Sequence, residues 1–81
     1  MPAEPNLHEQ AREAFQSGKV PRGGPDSIWR VPGVGARCVV CEKPVTKDQM
    51  EFELQFARDG AYRDTYHFHI RCFAAWELER S

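Results

Sequence analysis

The sequence predicts a small α+β domain, and three observations carry that prediction. Cysteine and histidine recur as two matched pairs, Cys38-x2-Cys41 and His69-x2-Cys72. Between them, Met50, Phe52, Leu54 and Phe56 alternate with Glu51, Glu53 and Gln55 at the period of a half-buried strand, and Tyr62 to Phe68 supplies an aromatic-rich second strand. After His69 the apolar spacing turns helical, with Ile70, Phe73 and Trp76 on one side and Arg71, Glu77 and Arg80 left to water.

A chain of 81 residues, 41% of them apolar, holds one compact core and hardly two. A core of this size rarely contributes more than about 3–5 kcal/mol of net stability, so a covalent or metal staple is expected. The 3 cysteines cannot all pair within the chain, which disfavours an oxidised scaffold and favours a reducing compartment. The amino end, Met1-Pro2-Ala3-Glu4-Pro5, has no basic start, and no apolar run of signal-peptide or membrane-span length follows. The expectation is a cytoplasmic protein with no membrane partner.

Residues 1–18 are read as an amphipathic helix segment, with the helix itself over 6–17. Leu7, Ala11, Ala14 and Phe15 fall on one side, Asn6 can cap the first amides with Glu9 in a capping-box position, and Gly18 can end the helix. So short a helix is marginal alone in water, so it needs a surface. Its Leu7, Ala11 and Phe15 side either docks on its own domain or is offered to another chain, while His8 faces solvent. Residues 19–37 are read as a Gly/Pro-rich basic linker or irregular wrap, in which the glycines and prolines disfavour helix and central strand. Gly33-Val34-Gly35 is not a dinucleotide loop, because no strand precedes it and no third glycine opens a helix.

Residues 38–81 form the predicted metal-binding domain. The Asp59-Gly60 turn signal makes the two strands a hairpin; a loop over 57–61 sets Phe56 beside Tyr62, Phe52 beside Tyr66 and Met50 beside Phe68. That register puts Asp64 on the buried face opposite Leu54, where a bulge or an early strand end is expected. Two residues between paired ligands let one tight turn or one helical turn aim both donors at a single ion, so Cys38, Cys41, His69 and Cys72 complete a tetrahedral site. Three soft thiolates favour one structural zinc ion over magnesium or calcium, with iron a lesser alternative. Buried free cysteines beside an incidental histidine explain the paired spacing poorly. His67 competes with His69 but lacks the matched spacing to Cys72; on the hairpin's outer face it stands opposite Glu51 as a surface pair.

Cys-x2-Cys, a hairpin and His-x2-Cys opening a helix together resemble a treble-clef zinc finger, and His69-Ile70-Arg71-Cys72-Phe73 resembles the first half of a LIM domain. LIM domains carry a second zinc site and a shorter gap between ligand pairs, and nothing after Cys72 supplies further ligands. Residues 33–79 are also similar to short bacterial zinc-binding proteins, a likeness that brings no established activity. Treble clefs serve protein binding, nucleic-acid binding and, in HNH-like forms, nuclease chemistry, so the resemblance does not choose among them.

A closed four-ligand site leaves no open position for substrate, which points to a binding module and away from a small-molecule substrate. Arg22, Trp29, Arg30 and Arg37 are the candidate partner-binding residues, as arginine and aromatic neighbours suit stacking on bases or anchoring a protein interface. The alternative is that Ile28 and Trp29 fold back to enlarge the core; Trp76 belongs to the core by periodicity. The net charge of −1, and Glu51 and Glu53 on the outer strand face, favour protein over nucleic acid. An enzyme reading takes His67 as general base with Asp64 or Glu51 near a hard cation, without an HNH-like asparagine motif to support it. Redox sensing by Cys38 and Cys41 is a third option, set against the usual structural role of closed thiolate sites.

Overall fold

The computed structural model describes residues 6–21, 23–58 and 63–80. In chain order these form α1 (Leu7–Gln16), β1 (Ser27–Pro32), β2 (Met50–Ala57), β3 (Arg63–His69) and α2 (Ile70–Arg80). The three strands make one antiparallel sheet in the order β1-β2-β3.

Helix α1 starts where Asn6 caps it: the Asn6 side chain accepts from the Glu9 amide at 2.8 Å. It ends at Gly18, whose φ of 76° lets the Lys19 amide turn back to the Ala14 carbonyl at 3.1 Å. Ala11 and Ala14 are buried in the core, and Leu7 and Phe15 pack against it. An Arg12–Glu79 ion pair at 2.9 Å joins α1 to α2. The apolar side of this helix is therefore taken by its own domain.

Within the segment read as a linker or irregular wrap, residues 27–32 form a strand. Its register runs from Ser27↔Gln55 to Pro32↔Met50. The strand lies at the sheet edge, where the missing Pro32 amide costs no ladder bond inside the sheet. Gly33 then lets the chain pass directly against the 45–46 backbone: a Cβ there would lie 2.6 Å from the Val45 oxygen and overlap Thr46. Segments 33–36 and 45–49 are tied together at this end of the sheet by Gly33 to Gln49, Gly35 to Val45 and Val45 to Ala36 hydrogen bonds of 2.8–2.9 Å.

The β2–β3 hairpin is shifted by two residues from the predicted register: Phe52 pairs with Phe68, Leu54 with Tyr66 and Phe56 with Asp64. A two-residue slide preserves which face each side chain occupies. It replaces Asp64 by Tyr66 opposite Leu54 and moves Asp64 to the hairpin end, where Arg58 stands 3.9 Å away, so no bulge is needed. Tyr62, and the Asp59-Gly60 turn, lie outside the described residues.

Phe52, Leu54, Phe56, Tyr66 and Phe68 share the sheet face that meets α2. The Phe73 ring centre lies 4.7 Å from Phe52 and 5.6 Å from Phe68, while Trp76 sits 5.5 Å from Phe68 and is fully buried. The Arg80 guanidinium covers the Trp76 ring at 5.0 Å. Among the described residues no helix is long and apolar enough to cross a membrane.

Candidate metal centre

The first ligand pair sits on a tight turn built by its own backbone. The Glu42 amide donates to the Cys38 carbonyl at 2.9 Å, the Cys38 amide to the Lys43 carbonyl at 2.9 Å, and Arg37 bridges Pro44 as in a short antiparallel ladder. Glu42 takes a left-handed conformation (φ 66°), which a side chain other than glycine adopts at a cost of roughly 1–2 kcal/mol. The turn is docked on β3, whose His67 carbonyl accepts from the Val39 amide at 2.9 Å. His69 ends β3 and Cys72 lies in the first turn of α2, so the strand-to-helix junction presents the second pair.

Cys38, Cys41, His69 and Cys72 each direct one donor atom inward, and these four atoms lie within 4.8 Å of one another. His69 Nδ1 is 3.3 Å from the Cys41 sulfur and 3.9 Å from the Cys72 sulfur. Tetrahedral bonds to zinc of about 2.3 Å from sulfur and 2.0 Å from nitrogen imply donor separations of about 3.5–3.8 Å. The four residues are thus positioned to hold one metal ion, and their thiolate-rich donor set suits zinc. Cys38 and Cys72 are buried and all three cysteines are free of disulfides.

Crowding three thiols around one point splits their acidities. Cys38 is lowered from 9.0 to about 4, chiefly by the hydrogen bond from the Cys72 side chain and further by the backbone at Cys41, His69 and Val40, against the opposing effect of burial. Cys72 is pushed up by its hydrogen bond to Cys38, by burial and by the negative charge of Cys38 and Cys41. A dication among them removes that conflict by stabilising all three thiolates.

Beside the cluster lies a polar pair whose burial the strand pattern concealed. Glu51 was expected on the outer face; it is 0% exposed. It pairs across the sheet with His69, at the end where segments 33–36 and 45–49 close together. His67 stands opposite Glu53, and its Nδ1 donates diagonally to Glu51, 2.9 Å from one carboxylate oxygen and 3.1 Å from the other. The predicted partnership holds, but its acid is an interior group one strand away from a metal ligand. The period-two pattern contains no signal for this.

Other sequence candidates are dispersed. Trp29, Arg30 and Arg37 are exposed; Arg22 lies outside the described residues. Trp29 and Ile28 retain 55% and 48% of their surface, so neither folds back into the core. Asp64 alternates onto the opposite face of β3 from His67, and the hard-cation arrangement of those two is not assembled. Comparison with known proteins yields no match to a family model, a curated protein or a solved structure.

Proposed function

We propose that this chain is a treble-clef-like module with one structural zinc ion, that it is not an enzyme, and that it binds another protein along the open edge of its sheet. The two sheet edges differ. On β3 the Val39 amide already occupies the His67 carbonyl, whereas β1 has no neighbouring strand on its far side among the described residues. Open edges are templates for an added strand, and the flanking side chains decide which strand is accepted. The carrying observation is that β1 shows Ile28 and Trp29 to solvent, one on each face, with Arg30 between Trp29 and Val31. An aromatic anchor beside an arginine is the composition of an interface hot spot. The metal acts as scaffold, since four protein donors leave no position for an activated water.

Affinity capture with zinc-loaded protein tests this reading, with Trp29→Asp as the comparison. A protein retained by the wild type and lost with the variant, while zinc content is unchanged, is the expected result. Retention that ignores Trp29 would remove the β1 edge from consideration. A low-salt shift of DNA or RNA that Arg30→Glu abolishes would put nucleic acid ahead of protein.

A further inference from the structure

A groove of about 720 Å³ lies between the metal-binding turn and α2; none of its lining residues belongs to β1, and Met50 touches that strand only through its pairing with Pro32, at the end away from Ile28 and Trp29. Pro44, Met50, Ile70 and Ala74 give it an apolar lining, and Lys43 and Arg71 supply its charge. No acidic side chain lines it, and neither Lys43 nor Arg71 makes an ion pair among the described residues. The contrast with the rest of the chain is sharp, because the whole sequence is −1. Met50, on the predicted apolar side of its strand, keeps 40% of its surface because it faces this groove and not the aromatic core.

We infer that this groove docks a short acidic peptide segment of a partner protein, one apolar side chain entering between Pro44, Met50 and Ile70 while neighbouring carboxylates meet Lys43 and Arg71. Three features select that occupant. Sites for small molecules bury most of the ligand, whereas Lys43, Pro44, Met50, Arg71 and Ala74 are all exposed, so the groove covers one side of a ligand only. Apart from His69 it has no aromatic ring among the described residues on which bases could stack, and two cations are few for a phosphate chain. Two unpaired cations without a compensating acid complement negative charge, and the aliphatic lining complements Leu, Ile or Val. The groove also depends on the metal centre. One wall, Lys43 and Pro44, follows Cys41 in sequence, and the other runs from the ligand His69 through Ile70 and Arg71 to Ala74 and flanks Cys72, so an ion joining these ligands would fix the spacing of the walls.

The inference rests on the protein-binding reading but not on the β1 edge. Random peptides of about twelve residues, displayed on phage and selected on zinc-loaded protein, supply the probe. Selected sequences should combine Asp or Glu with an aliphatic residue and weaken as salt rises from about 50 to about 500 mM. Their affinity should fall about ten-fold or more with Lys43→Glu/Arg71→Glu, at unchanged zinc stoichiometry, and be unaffected by Trp29→Asp. Should that double variant lose zinc, the milder Lys43→Gln/Arg71→Gln pair is expected to give a smaller loss in the same direction. Salt-insensitive binding, or binding indifferent to both charge variants, would overturn the groove. Peptides that depend on Trp29 alone would overturn the groove and keep the module; no selected peptide at either surface would count against both.

Discussion

The two faces of the sheet are held by different forces. Toward α2, Phe52, Leu54 and Phe68 meet Phe73 and Trp76, and the contact is made mainly by buried rings. The other face carries Glu51, His67 and His69, polar groups whose burial is favourable only when each is partnered. The metal-ligand cluster joins the two: Cys38, Cys41 and Cys72 belong to the same core as the rings, while His69 comes from the polar face, where the ties between segments 33–36 and 45–49 close over Glu51. Neither side is large enough to fold alone, so conditions that dismantle one should unfold the other with it.

The largest effect expected is loss of the ion. Zinc binding in finger peptides is worth about 10–16 kcal/mol at neutral pH, more than the core of so small a chain supplies. Chelation, or Cys72→Ser, should collapse the dispersion of the NMR spectrum, and a dispersed spectrum without metal would make the two faces independent. Acid should act in the same direction. The folded Cys38 thiol is depressed from 9.0 to about 4, so its stabilising contribution is complete above 9.0 and is lost as pH falls through about 4. Zinc release is expected as pH falls, because protons compete with the ion for the same thiolates and imidazole.

On the aromatic side, Phe68→Ala should cost about 3–5 kcal/mol, read as a lowered thermal midpoint in saturating zinc. Zinc stoichiometry should stay at one per chain; metal loss would mean that the rings also shape the ligand site. A smaller effect separates the histidines. His67→Ala should keep the metal and cost about 1–3 kcal/mol, because the buried Glu51 carboxylate loses its partner, whereas His69→Ala should lose the metal. The reverse outcome would transfer the ligand role to His67.

What the sequence made legible follows from which signals are local. The helix ends at Asn6 and Gly18, the ligand pairs and the alternation of β2 all depend on neighbours a few residues apart, and all appear in the structure. The hairpin register depends on a global choice. Parity was readable from the pattern, but the two-residue slide is decided by placing Phe68 under Phe73 and releasing Asp64 toward Arg58. β1 was hidden because glycines and Pro32 around it satisfy the description of a loop as well as that of an edge strand. Burial of Glu51 was hidden because alternation assigns a residue to a face and does not say whether water reaches that face.

Glu42 holds a backbone angle that a glycine would take freely, directly after the second thiol of the turn. Three ties hold that corner in place: the Glu42 amide on the Cys38 carbonyl, the Cys38 amide on the Lys43 carbonyl, and Lys19 3.0 Å from the Glu42 carboxylate. The cost of the left-handed residue is therefore borne by the turn's own frame, which presents Cys38 and Cys41 together whether or not the fourth ligand is engaged.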